Sequence, residues 1–295
     1  MNKTCSGKRL GKLCRRPIVT VSKTQFDVLI NTVLARLKLV STVCLSMTVL
    51  SLVSTQAIAK SAEGFVALYS EQTIQIDGNA SEVIWQSSQW YQLNHDMLAN
   101  YPATDDFSGR FKVAWDENYL YLWVEMSDDV LFDQHANPLF KYWDDDALEV
   151  FIDEDRSGGT HQYDHNAFAY HIALDHQAID IAGKKDDGTP NFVALNEHVK
   201  SVWRRTDVRA NGIVWEVALE IHNDSFDHRV TANRQASRVA LTAGKVLGFM
   251  LAYCDNDGSK QREHFLGSTY ITPVNGDQNL GYKTADVFST LLLKK

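Results

Sequence analysis

Between Phe111 and Met126 the chain spells out a hairpin that leaves little freedom of fold. Phe111, Val113 and Trp115 alternate up to the turn residues Asp116-Glu117-Asn118, and Tyr119 to Met126 runs back out. On the return arm Leu120, Leu122 and Val124 share one face, while Tyr119, Tyr121 and Trp123 share the other. A strand half in water alternates apolar with polar residues, whereas one that is apolar on both faces must be covered on both. Such a hairpin belongs inside packed sheets.

Other stretches fit the same plan. Residues 64–70, 73–76 and 90–93 read as short strands, and Ala80–Ser88 as a short helix carrying Val83, Ile84 and Trp85 inward. Residues 94–106 and 130–141 read as loops. Residues 168–174 and 179–182 form one expected hairpin, and 199–206 with 213–221 another, whose second arm sets Trp215 on one face and Glu216 on the other. Residues 246–253 and 287–293 supply the last strands, and 222–245 is an excursion without periodicity. About ten short strands and hardly a helical stripe predict an all-β protein, a single antiparallel β-sandwich of jelly-roll type.

Residues 1–59 read as targeting rather than fold. Nine basic residues with one acid, Asp27, precede an apolar run from Leu39 to Val53, and Ala57-Ile58-Ala59 offers a small-x-small cleavage site. The run of about 15 residues is short for a span of roughly 20, so a cleaved signal peptide is expected rather than an anchor. The expected destination is periplasmic or extracellular, and the sandwich is expected to be residues 60–295.

The leader holds nine of the 29 basic residues and one of the 37 acidic ones, leaving 20 against 36 and a net charge near −16. A body that acidic is repelled by phosphate backbones and anionic lipid, so neither nucleic acid nor a membrane is expected as partner. Neutral ligands and divalent cations suit it better. Three of the four cysteines lie in the leader, so Cys254 has no partner for an intramolecular disulfide, and it is expected as a small buried hydrophobe.

The chemistry concentrates at Tyr142–Asp155. Leu148, Val150 and Ile152 alternate with Glu149, Phe151 and Asp153, so Glu149 opposes the buried face and Trp143 stands just before the strand. A flat indole near a fixed carboxylate can serve as a sugar platform or as sandwich core. Asp144, Asp145, Asp146 and Glu149 are close in sequence, but a retaining glycosidase needs two carboxyls about 5–5.5 Å apart, and nothing marks one acid as desolvated. Asp153 with Asp155, and Asp255 with Asp257, present oxygens at alternate positions before a Gly turn, as calcium prefers; Asx-capped turns account for them equally well. His161, His165, His171 and His176 lie in or near a loop, where their spacing carries no zinc geometry, and are expected to be solvated.

Several pieces in order resemble carbohydrate-binding module family 9, sugar-binding β-sandwiches found on xylanases and as stand-alone secreted proteins. They are Ile76-Asp77-Gly78 with Trp85, Val113-Ala-Trp-Asp116 with Tyr119-Leu-Tyr-Leu122, and Trp143 through Glu149-Val-Phe-Ile-Asp153. Trp215-Glu216-Val-Ala-Leu219, then Gly248-Phe-Met-Leu-Ala with Asp255-Asn-Asp-Gly258, complete the set, which covers most of 70–293. The resemblance implies a non-catalytic domain that clamps a chain-end sugar between two tryptophans, with Glu and Arg on its hydroxyls and structural calcium nearby. Trp143 and Glu149 match the first tryptophan and its Glu. No Trp follows Trp215, so Phe265 or Tyr270, beside Arg262, is the expected second aromatic. His171 completes the candidate ligand-binding set. The rival readings are a glycoside hydrolase or its accessory subunit, and a haem b electron-transfer sandwich using Met126, Met250 and His171.

Overall fold

The hairpin forms as β4 (Phe107–Trp115) and β5 (Leu120–Asp128), paired in register from Phe107↔Asp128 to Trp115↔Leu120. Asp116 makes the turn: one carboxylate oxygen accepts from the Asn118 and Tyr119 amides at 2.7 and 2.9 Å, and the other accepts from the Tyr121 hydroxyl at 2.6 Å. In this computed structural model, which describes residues 64–295, both faces of the hairpin are covered as expected. Leu120, Leu122 and Val124 enter the main core, while Tyr121 packs in a smaller cluster with Trp85 and Ala218. The expected leader, with its cleavage after Ala59, lies outside the described residues.

The remaining strands are β1 (Phe65–Tyr69), β2 (Tyr91–Leu93), β3 (His95–Asp96), β6 (Ala147–Asp153), β7 (Phe168–Ala173), β8 (Ala178–Lys184) and β9 (Pro190–Ala194). They continue with β10 (Val199–Thr206), β11 (Gly212–Leu219), β12 (Val246–Asp255), β13 (His264–Gly267) and β14 (Ser289–Lys294). The described helices are short, with α1 at Ile84–Ser87 and α2 at Asn233–Ser237. No described helix is long and apolar enough to cross a membrane.

The protein is all-β, with fourteen described strands where the sequence predicts about ten. They join in one continuous ladder, β10-β11-β5-β4-β1-β14-β12-β6-β7-β8-β9, with β2, β3 and β13 attached at its side. The sheet curls so that β4, β5 and β11 face β6, β7 and β12 across a shared core: Phe107 stacks on Tyr253 at 4.9 Å, and Phe65 meets Phe249 edge-on at 5.4 Å. Pairing is antiparallel except at β1, which runs parallel to both β14 and β4 and joins the two halves.

Two expectations fail locally. Residues 73–76 form no strand. Just beyond them the amides of Asp77, Gly78 and Ala80 donate to the buried Glu216 carboxylate at 3.0, 2.6 and 2.9 Å. Glu216 takes the face opposite Trp215, as alternation predicts, but this loop covers that face and buries it, and Gly78 supplies the positive φ the loop needs. The helix expected over 80–88 shrinks to four residues, with Trp85 buried as expected and Val83 exposed.

Candidate functional site

Glu149 lies at the centre of β6, between Ala252 of β12 and His171 of β7. Alternation does here what the sequence suggests: Leu148, Val150 and Ile152 enter the main core, and Glu149 points to the other side. Its Oε1 lies 3.2 Å from His171 Nδ1, and both side chains are buried. Just before β6, a single turn of tighter helix (Tyr142–Asp144) carries Trp143, with Lys141 in the left-handed region at its start. Tyr142 is buried under this turn, edge-on to Trp143 at 5.2 Å and to His171 at 4.7 Å.

Tyr142, Trp143 and Glu149 line a pocket of about 360 Å³ together with Arg262, Phe192 and Tyr282. Phe192 reaches it through the β8–β9 register, which sets it beside Ile181, and its ring lies 5.8 Å from that of Trp143. Arg262 enters between β12 and β13. One guanidinium nitrogen donates to Cys254 Sγ at 2.9 Å, and its plane stacks over Phe265 at 4.0 Å. Burial opposes the charge of Arg262, but Cys254, Glu149 and Asp144 hold its pKa above the ordinary value. Gln162 and Asn279 add amides from two loops. Those loops are stitched together: the His161 amide donates to the Lys283 carbonyl at 3.1 Å, and the His161 ring meets the Gly281 carbonyl at 2.7 Å. At Gly281 a Cβ would lie 2.6 Å from Met250 and 2.9 Å from Phe151, so the loop carrying Asn279 and Tyr282 docks only because this residue is glycine.

The candidates thus divide. Trp143, Glu149 and Arg262 line one pocket, and His171 stands behind Glu149. Phe265 does not line it; an unforeseen strand, β13, buries it at 1% exposure as the support beneath Arg262. Tyr270 does not line it either, being 62% exposed and packed edge-on to His95. The other aromatic walls are Phe192 and Tyr282. Glu149 is the one carboxylate among the lining residues. Asp144, Asp145 and Asp146 turn away to accept from the amides of Arg262, Gln134 and Phe132. Met126 lies in the main core and Met250 in a separate cluster with Phe151, so neither joins His171 in the pocket.

A family model described as carbohydrate family 9 binding domain-like matches residues 76–295. The chain belongs to that family. It is 34% identical over 79 residues to endo-1,4-beta-xylanase A of Thermotoga maritima, a match covering 27% of this chain and 7% of that enzyme. Two solved structures of family 9 carbohydrate-binding modules from Caldicellulosiruptor kristjanssonii share its fold. One is in complex with glucose (TM-score 0.54, 17% identity, covering 78% of this chain and 95% of the module). The other is in complex with cellotriose (TM-score 0.52, 16% identity, covering 78% and 93%).

This family 9 domain holds a second polar centre, at the other end of β12 and β6 from Asp153. Asp128, Asp146 and Asp255, each with at most 1% exposure, bring carboxylate oxygens within 4.8 Å of one another. Asp146 accepts from the amides of Phe132 and Asn256 at 2.7 and 2.8 Å, and Asp128 from the Tyr253 hydroxyl at 2.7 Å. Both oxygens of Asp255 and one of Asp128 have no hydrogen-bond partner. Burial, then the neighbouring acids, pushes Asp146 up to about 9 and Asp255 to about 8; burial raises Asp128 to about 6. Buried acids this close fit a hard divalent cation, which takes oxygen ligands and displaces their protons. Asp257 joins a neighbouring, more exposed group with Asp106 and Asp129. Asp153 and Asp155 lie apart from both: Asp155 caps its own turn by accepting from the Ser157 amide, while Asp153 keeps one buried oxygen free of partners.

Three of the four histidines expected to be solvated are buried, and they do not converge. His161 meets Gly281, His171 meets Glu149, and His165 packs between Phe168 and Phe226 at 5.1 and 4.9 Å; His176 alone is exposed. Aromatic neighbours brought in from distant segments bury them, which local polarity could not signal. Cys254 is fully buried as expected, and burial raises its thiol pKa far out of the reactive range.

Proposed function

We propose that this chain is an exported, non-catalytic carbohydrate-binding protein that holds the end of a neutral polysaccharide in the Trp143 pocket. The observation that carries the reading is one cavity setting the Trp143 indole against Glu149 and Arg262, with Phe192 and Tyr282 as further aromatic walls. Sugar rings offer C–H faces to aromatics and hydroxyls to charged or amide groups, and this lining provides both. Glu149 is held by His171 and Arg262 by Cys254 and Phe265, so the polar groups are oriented before a ligand arrives. Calcium held by Asp128, Asp146 and Asp255 would neutralise the buried acids and tie the ends of β5, β6 and β12.

Glucose and cellotriose, the ligands of the two Caldicellulosiruptor modules, make glucans the first probes. In a glycan-array screen with and without chelator, the intact chain should retain a neutral oligosaccharide. Trp143→Ala should lower that affinity by roughly a hundredfold or more. It should change stability by less than about 1 kcal/mol, because the indole is partly exposed. Retention unaffected by Trp143→Ala, or a variant that unfolds, would reject the reading.

A further inference from the structure

Beside the Trp143 pocket lies a second cleft, of about 470 Å³, and Phe192 lines both. One side of this cleft is β9, the last strand in the ladder, whose outer edge pairs with nothing described. Along such an edge alternate residues turn their N–H and C=O groups outward. The facing wall is the otherwise unexplained excursion after β11, which brings Phe226, Val230 and Arg234, while Leu139 closes the end. Leu139 and Val230 are 39% and 50% exposed, so the cleft offers apolar contacts to a ligand.

The excursion is anchored like a wall rather than a free loop. His222 Nδ1 lies 3.0 Å from Ser237 Oγ, the Val239 amide donates to Ile221 at 2.8 Å, and the Asp227 amide donates to Asn233 Oδ1 at 2.7 Å. Phe226 packs edge-on against His198 at 4.7 Å and His165 at 4.9 Å. The charged side chains in the cleft already have partners. Arg234 pairs with Glu220 at 2.8 Å and Glu197 at 3.3 Å, and Asp227 pairs with Arg229 at 2.8 Å. Arg234 Nε nevertheless has no partner. Exposed apolar contacts, an open backbone edge and lining charges that lean slightly acidic (Glu197 and Asp227 against Arg234) suit an uncharged polyhydroxyl chain rather than an acidic glycan.

We infer that this cleft binds the second and later sugars of the glycan whose first sugar occupies the Trp143 pocket, with Phe192 between them. The inference rests on the proposed function of that pocket. It makes the domain a reader of oligosaccharide length, and gives residues 222–245 a purpose.

The test is calorimetric titration of the intact chain with gluco-, xylo- and manno-oligosaccharides of one to four units, beside Val230→Arg and Ala194→Arg, two exposed positions lining only the cleft. Affinity should rise about tenfold or more from one to three units in the wild type. Both variants should keep monosaccharide affinity within about twofold and lose the rise. Monosaccharide binding without a rise, or a rise that survives in both variants, overturns the cleft alone. No binding by any series overturns the Trp143 pocket with it.

Discussion

The Trp143 pocket and the Asp128–Asp146–Asp255 centre are both built from the ends and middles of β6 and β12, yet they treat polar groups in opposite ways. At the pocket the polar groups have partners: Glu149 lies against His171, and Arg262 against the Cys254 sulfur and the ring of Phe265. At the acid centre three carboxylates meet with three oxygens unpartnered. A buried charge is tolerated only when paired or bound to metal, because desolvation otherwise costs several kcal/mol. A matched, open site is suited to a neutral ligand that adds contacts. An unmatched, closed one is suited to an ion that completes it.

The largest expected effect breaks the acid centre. Removing divalent cations with chelator should lower stability by about 4 kcal/mol relative to saturating calcium, the linkage for a ligand at a thousand times its dissociation constant. Asp255→Asn separates the alternatives by sign in calcium-containing denaturant titrations. Losing a cation ligand destabilises, whereas relieving repulsion in a cation-free cluster stabilises.

A third buried group serves as a control, because it can become neutral without an ion. Burial, and then His228, holds His165 down to about 4, below an unfolded value of about 6.5. As pH falls the unfolded chain takes up the proton first, so the contribution is full above about pH 6.5 and drains away towards pH 4. Going from pH 7 to pH 5 should cost about 2 kcal/mol at this residue. His165→Phe should flatten that part of the profile, measured in chelator and in calcium alike. A slope unchanged in the variant would place the acid sensitivity elsewhere.

The smallest effects sharpen the pocket's own boundary. Tyr282→Ala should weaken glycan binding about tenfold, while Tyr270→Ala should leave it within about twofold. The reverse order, in the same titration, would restore Tyr270 as the second aromatic wall.

Glu149 was legible in the sequence because period-two alternation assigns faces within one strand, and Trp143 because an indole among acids just before that strand stood out. The hairpin of β4 and β5 was legible from the same alternation, with Asp116 as its turn. Tyr282 and Phe192 were not. One depends on Gly281 letting a loop settle against Phe151 and Met250, the other on the β8–β9 register across a charged turn. Phe265 looked available because four residues of β13 carry too little pattern to announce a buried strand. The acid centre was half visible through Asp255. Its partners Asp128 and Asp146 sit at the ends of strands more than a hundred residues away in sequence, joined only by the curl of the sheet.

The central claim is that glycan meets this protein at the indole of Trp143. Of its seven tryptophans, Trp85, Trp115 and Trp215 are at most 1% exposed, so their indole N–H resonances form an internal reference. In a two-dimensional NMR titration with cellotriose and the other neutral trisaccharides, assigned with Trp143→Phe, the Trp143 resonance should shift saturably while those three stay in place. Saturable binding that leaves Trp143 unmoved would contradict the account.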